Sequence, residues 1–78
     1  SMKQHTILIA KDSFTIKTPG TRGKPCTVKP DDRFWVTTPI YRNIETVLIQ
    51  RVGKGYIGTG YCINIAELNS HFEVLHES

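Results

Sequence analysis

Apolar and polar residues alternate along most of this chain, and the alternation predicts short β-strands rather than helices. Residues 5–10 are apolar and rich in β-branched side chains, and residues 13–17 alternate strictly, so each segment predicts a strand. A tight turn at residues 11–12 would let these two strands form a hairpin. Residues 34–38 predict a further strand, which carries the only tryptophan of the chain, Trp35.

The clearest predicted element is a hairpin from Ile44 to Ile65. In its first strand Val47, Ile49 and Arg51 share one face, while the residues between them share the other. The two glycines of residues 53–55 can adopt positive φ without steric cost, so a three-residue turn is expected there.

Glycine and proline mark the breaks between these strands. In the second strand of the hairpin, Gly58 and Gly60 leave one face almost bare, which predicts strong curvature, a bulge or the close approach of another segment. Residues 18–26 hold two prolines and two glycines and predict a long loop. Residues 30–32 (Pro-Asp-Asp) predict a turn, with the proline at its second position.

After the hairpin, residues 66–70 are too few for an ordinary helix and predict a single 3₁₀ turn, and residues 72–75 predict a last strand. The whole order is five to six short antiparallel strands with a central hairpin, one helical turn and a closing strand. This order resembles the SH3-like small barrels, in which a central hairpin is followed by a 3₁₀ turn and a final strand that closes the sheet. The resemblance implies an all-β barrel. It does not imply proline-rich peptide binding, because the acidic loop and groove aromatics of signalling SH3 domains have no clear counterpart here.

The length of 78 residues leaves room for one domain, residues 1–78. Ser1 ahead of Met2 is expected to be a scar of tag cleavage, so that the natural product would start at Met2 and be complete. No apolar run approaches the roughly 20 residues of a membrane span, and no segment has the form of a secretory signal. We therefore expect a cytoplasmic protein with no membrane partner, in which Cys26 and Cys62 are free thiols.

The net charge of +3 is distributed unevenly. Four basic residues and no acidic residue lie from Lys17 to Lys29, whereas the chain from Glu67 onward has three acidic residues and neither Lys nor Arg. Cations beside aromatic rings suit single-stranded nucleic acid, because cations contact phosphates and rings stack on bases. The alternative is that the charges only keep an open loop soluble. The candidate binding residues, including a basic and aromatic hairpin tip, are Lys17, Arg22, Lys24, Lys29, Arg33, Trp35, Arg51, Lys54 and Tyr56.

The orientation of Trp35 is left open by the sequence. Trp35 lies between Phe34 and Val36, so a strand cannot bury all three side chains on one side. If Phe34 and Val36 face the core, Trp35 faces outward and would anchor a partner, since Trp is enriched among interface hot spots. The alternative is that Trp35 covers the mouth of the barrel.

The sequence predicts no catalytic centre, metal site or cofactor. The two cysteines and three histidines lack the paired spacing of zinc ligands. The adjacent Asp31 and Asp32 are expected to cap a turn. The glycines near residues 53–60 lack the strand-to-helix context of a phosphate-binding loop. We therefore expect a protein that is not an enzyme.

Three binding hypotheses follow. The first is nucleic acid binding through the loop at 17–33 and the hairpin tip at 51–56. The second is a protein-binding adaptor or inhibitor, of the kind that phages and mobile elements encode, which uses Trp35 and neighbouring aromatic residues. The third is a homodimer formed through an exposed strand edge. Salt separates the first two, because counterion release makes nucleic acid binding strongly salt-dependent.

Overall fold

The computed structural model describes residues 3–16, 25–38, 45–53, 55 and 60–77. Within these ranges the alternating segments form β1 (Ile7–Ala10), β2 (Phe14–Ile16), β3 (Cys26–Val28), β4 (Arg33–Thr38), β5 (Thr46–Arg51), β6 (Gly60–Asn64) and β7 (Phe72–His76), with the helix α1 (Ile65–His71) between β6 and β7. The prediction of a mostly β fold is confirmed. The described residues form seven strands where five to six were predicted, and the additional strand, β3, begins at Cys26, which was assigned to the end of the long loop. No helix in the described part of the chain is long and apolar enough to cross a membrane.

The strands form two antiparallel sheets. The larger sheet has the order β6-β5-β4-β1-β7, and β2 and β3 form a separate two-stranded sheet. The prediction of a small β-barrel needs correction, because the described strands form two sheets that do not close into a barrel. The two end strands of the larger sheet, β6 and β7, are connected through α1 instead of pairing with each other.

The predicted hairpin between the first two strands does not form. Strand β1 lies between β4 and β7, whereas β2 pairs with β3. The segment after β1 is held at the end of α1 instead of reversing. There the Lys11 amide donates to the His71 carbonyl (2.8 Å), and the Asp12 carboxylate lies 2.8 Å from Nδ1 of His71. Long-range contacts thus override a local turn signal.

The central hairpin, β5–β6, forms with a register different from the predicted one. Gln50 pairs with Gly60, whereas a three-residue turn at 53–55 would pair it with Gly58. Because the difference is two residues, the inward and outward faces of both strands stay as predicted. The Val52 amide donates instead to the Arg33 carbonyl of β4 (2.9 Å).

Gly60 is explained by a close neighbour. A Cβ atom at this position would lie 3.1 Å from Cδ1 of Leu48 on the adjacent strand. Of the three predicted alternatives, the close approach of another segment is the one observed at Gly60. Gly58 lies outside the described residues.

The segment predicted as a 3₁₀ turn is the seven-residue helix α1. Asn64 caps its first turn, because its side-chain oxygen accepts a hydrogen bond from the Ala66 amide (2.8 Å). At the other end, the Phe72 amide donates to the Leu68 carbonyl. Leu68 is fully buried. A helix this short is stabilised by its cap and its packing rather than by intrinsic propensity.

The core is one cluster to which both sheets and α1 contribute. The larger sheet supplies most of it, the small sheet adds Ile16, Cys26 and Val28, and α1 adds Leu68. The alternation of β4 and β5 is confirmed, since Phe34, Val36, Val47 and Ile49 are all buried. One face of the larger sheet therefore packs in the core, and the other face is directed away from it.

Candidate binding surface

Trp35 projects from the face of the larger sheet that lies opposite the core. Its neighbours Phe34 and Val36 are completely buried, whereas Trp35 is half-buried. On the adjacent strands it stands opposite Ile7 of β1 and Gln50 of β5. Directly opposed residues in an antiparallel sheet share a face. The structure thus selects the outward orientation of the two alternatives.

Three other large apolar side chains lie on the same face. Leu48 alternates with the buried residues of β5, and Ile7 and Ile9 alternate with the buried residues of β1, so all three point away from the core. Each is half-buried. We call this surface the outer face and define it by Ile7, Ile9, Arg33, Trp35, Leu48 and Gln50. An antiparallel sheet with one solvated face is normally polar there, whereas this face is apolar at its centre.

The chain before β1 lies against one side of Trp35. The ring centroid of His5 is 5.5 Å from that of Trp35, and the two planes are tilted by 31°. His5 is held by a hydrogen bond from its amide to the Val36 carbonyl (2.8 Å). Its φ of 71° is the left-handed conformation that few non-glycine residues adopt. The Gln4 amide group also donates to the Thr37 carbonyl (3.1 Å). The indole is thus held by its own strand and by this segment.

Arg33 places a positive charge at one end of the outer face. It is exposed and stands opposite Ile9 on β1. Lys29 is also exposed, at the start of the neighbouring turn. That turn agrees with the prediction, because the Asp32 amide donates to the Lys29 carbonyl (3.1 Å) across Pro30 and Asp31. Asp31 has a φ of 72° at the third turn position, as a type II turn requires.

Arg51, although it was a predicted binding residue, points toward the core. It stands opposite the buried Phe34, and its guanidinium carbon lies 4.9 Å from the centre of that ring. Its Nη1 lies 2.7 Å from the Asp32 carboxylate. Its Nη2 donates to the Thr27 carbonyl (2.9 Å) and lies 3.2 Å from Sγ of Cys26. Arg51 therefore ties the larger sheet to the small one, and we leave it out of the proposed surface.

The Asp32–Arg51 pair is charged in the folded state. Burial acts to raise the pKa of Asp32, but the Lys29 amide (2.9 Å) and the Arg51 guanidinium favour the carboxylate, so the pKa is lowered overall. Burial likewise acts to lower the pKa of Arg51, and the contacts with Asp32 and Cys26 outweigh it, so that pKa is raised. The pair acts as a structural link between the sheets.

The remaining predicted binding residues lie outside the described ranges, and their role stays a prediction: Lys17, Arg22, Lys24, Lys54 and Tyr56.

Conversely, the structure adds Ile7, Ile9 and Leu48 to the candidate surface, and none of these was among the residues predicted from the sequence. The sequence carries a signal for them, because each alternates along its strand with apolar residues that the structure buries.

Other reactive groups in the described part of the chain do not gather into a centre. Within these residues, no group of three or more His, Cys, Asp or Glu side chains is arranged to hold a metal ion. Cys26 and Cys62 are free thiols, the first buried and the second exposed. The pair of His71 and Asp12, with Phe14 stacked on the imidazole at 4.0 Å, connects α1 to the segment between β1 and β2.

Comparison with known proteins gives no match. No protein-family model fits the chain, and no curated protein or solved structure is significantly similar to it. Function is therefore inferred from the residues and their geometry.

Proposed function

We propose that this protein is a non-enzymatic binding module that recognises a protein partner through the outer face, with Trp35 as the central anchor. The observation that supports the proposal is the outward orientation of Trp35 between buried neighbours, on an apolar face. Apolar patches that reach the surface within a polar margin are typical of protein interaction sites, and Trp35, Ile7 and Leu48 are each partly exposed. Trp is also among the residue types enriched at binding hot spots.

The geometry supports an anchor whose position is set before binding. Trp35 is flanked across the strands by Ile7 and Gln50, and the His5 ring lies against it. A side chain held in this way loses little conformational entropy on binding. The partner would cover the exposed part of the indole together with the rims of Ile7 and Leu48, while Arg33 would favour an acidic group at the margin.

We also propose that the fold is an open variant of the SH3-like small barrels. The strand order supports this, since the β5–β6 hairpin is central, α1 takes the place of the helical turn, and β7 returns beside β1. A cytoplasmic location belongs to the same proposal, because two free thiols suit a reducing compartment.

Nucleic acid binding is supported less well by the described residues. Arg51 is engaged between the sheets, which leaves Lys29 and Arg33 as the exposed candidates whose positions are described. Two cations neutralise few phosphates, so the described residues by themselves would contribute only a weak electrostatic part to the affinity. The centre of the outer face is apolar, which suits a protein surface better than a phosphate backbone.

Selection from a random peptide library displayed on phage tests the proposal without a known partner. We expect peptides that bind the wild type and not Trp35→Ala. Val74→Ala is the matched control, because it removes an exposed apolar side chain from a strand edge away from Trp35. Circular dichroism establishes that each variant is folded. The proposal is wrong if no peptide is enriched, or if Trp35→Ala retains the same peptides.

A second measurement tests the competing nucleic acid hypothesis directly. Trp35 is the only tryptophan, so its fluorescence reports any oligothymidylate that stacks on the outer face. We expect no change at about 50 mM salt, where phosphate contacts are strongest. Quenching at this salt concentration that disappears at about 200 mM salt would replace the proposed protein partner by single-stranded nucleic acid.

A further inference from the structure

We propose that the protein forms a dimer in which β7 pairs antiparallel with β7 of a second copy, around a two-fold axis at Val74. The two five-stranded sheets would then become one continuous sheet. This inference does not depend on the proposed function, because β7 lies at the end of the sheet and Trp35 on its central strand.

Strand β7 is an open edge in the described structure. It is the last strand of the sheet, and β1 is the strand with which its described residues pair. Such an edge offers backbone groups to another strand. Proteins commonly protect edges with lysine, proline or a β-bulge. Strand β7, with the sequence Phe-Glu-Val-Leu-His, contains neither lysine nor proline, and its one irregularity is a register shift against β1 between Val74 and His76.

The hydrogen-bond pattern shows which backbone groups face outward. The Lys11 amide donates to the carbonyl of His71, which continues the register in which Ile9 stands opposite Glu73. Hydrogen-bonded and non-hydrogen-bonded pairs alternate in an antiparallel ladder. Glu73 therefore belongs to a hydrogen-bonded pair with β1, and the adjacent Val74 directs its N–H and C=O away from β1, toward the open edge.

The side chains at this edge are apolar and exposed. Val74 is 52% exposed and Leu75 is 47% exposed. Of the three exposed large hydrophobic residues in the described part of the chain, these two are consecutive on β7. The third, Val52, is 45% exposed and follows β5. Pairing of β7 would cover apolar side chains and satisfy backbone groups at one place.

A second copy is the occupant that this strand fits. With Val74 opposite Val74 of the second copy, the outward N–H and C=O groups of both residues meet in one hydrogen-bonded pair. If β7 continues this register through the irregularity between Val74 and His76, Glu73 stands opposite Leu75 of the second copy, and Phe72 opposite His76. No two like charges face each other in this register, and like charges directly opposite would be destabilising. The pattern is thus self-complementary, as an isologous interface requires.

Sedimentation equilibrium between about 10 μM and about 1 mM protein tests the dimer, because its population depends on protomer concentration. We expect a monomer–dimer equilibrium whose dissociation constant rises at least about tenfold in Val74→Lys, since an edge lysine opposes strand pairing. Val52→Lys is the matched control and should leave the constant unchanged. The proposal is overturned by a monomer at every concentration, or by equal effects of the two lysines.

Two further measurements distinguish backbone pairing from simple apolar contact. Ligation of a synthetic segment 62–78 at Cys62 can introduce N-methyl-Val74, which removes the outward N–H and keeps the side chain. We expect this protein to be monomeric, and a persistent dimer would contradict the proposal. In the wild type, hydrogen exchange of the Val74 amide should slow as the protein concentration rises. The Glu73 amide, which is bonded to β1, should be protected at every concentration and so shows that the fold is intact. Trp35→Ala should dimerise normally, so failure of the dimer and failure of the proposed function are distinguishable.

Discussion

Replacement of Arg51 by methionine should destabilise the fold, because this side chain connects the two sheets. The substitution removes an ion pair with Asp32 (2.7 Å), in which the side chains are only 20% and 29% exposed, and a hydrogen bond to the Thr27 carbonyl (2.9 Å). Hydrogen bonds of charged groups contribute about 1.5 kcal/mol each at the low end of their range. The contact with the Phe34 ring adds about 0.5 kcal/mol. The expected loss is therefore about 3.5 kcal/mol.

The loss is large relative to the stability of so small a domain. At 0.05–0.15 kcal/mol per residue, a chain of this length is stable by roughly 4–12 kcal/mol. Urea unfolding followed by circular dichroism measures the change. Arg33→Met is the matched control on the neighbouring strand, and because Arg33 is exposed, it should cost less than about 0.5 kcal/mol. Equal losses in the two variants would refute the structural role of Arg51.

A double-mutant cycle with Asp32→Asn isolates the ion pair and gives it a pH signature. At pH about 7 the coupling free energy should be about 1–2 kcal/mol. The pKa of Asp32 is lower in the folded state than its ordinary value of 3.8. Its stabilising contribution is thus complete above that value and is lost as the pH falls through the folded-state pKa. The coupling should therefore decrease steadily below pH about 4, and a coupling that stays constant would contradict the assignment.

Three further substitutions test single features of the fold by the same urea assay. Thr6 is fully buried, and its hydroxyl has no hydrogen-bond partner among the described residues. Thr6→Val should therefore stabilise the fold by about 1 kcal/mol, whereas a loss of stability would imply that the hydroxyl has an internal partner. Asn64→Ala should cost about 1 kcal/mol through loss of the helix cap, whereas Asn64→Asp should retain it; equal losses would exclude capping. Asp31→Gly should stabilise by up to about 1 kcal/mol, because Asp31 has positive φ; a loss would show that its side chain contributes more than the backbone strain costs.

The local alternation of residues was sufficient to predict most strands and their faces. Phe34 and Val36 fill the core, so the outward direction of Trp35 follows from the same period of two. Gly60 faces the close neighbour that a bare strand position suggests. The position of Arg51 was also within reach of the sequence, since it shares the alternation of the buried Val47 and Ile49.

Features that depend on distant segments could not be predicted in this way. The turn signal at residues 11–12 is real, but the chain there binds the end of α1, about 60 residues away, instead of forming a hairpin. Helix α1 has only seven residues, so its sequence alone does not distinguish an α-helix from a single 3₁₀ turn. The Asn64 cap and the burial of Leu68 stabilise the α-helix. The ion pair between Arg51 and Asp32 joins residues 19 positions apart, and no local pattern specifies it.

The affinity of one selected peptide for wild type and for Trp35→Ala, measured at about 50 mM and about 200 mM salt, tests the proposed apolar binding surface most directly. We predict that Trp35→Ala weakens binding about 30-fold, which corresponds to a hot-spot contribution of about 2 kcal/mol, at both salt concentrations. The wild-type affinity should change by less than about threefold between them. An affinity of Trp35→Ala within about threefold of wild type, or a loss of more than about tenfold in wild-type affinity from salt alone, would contradict a partner bound through the outer face.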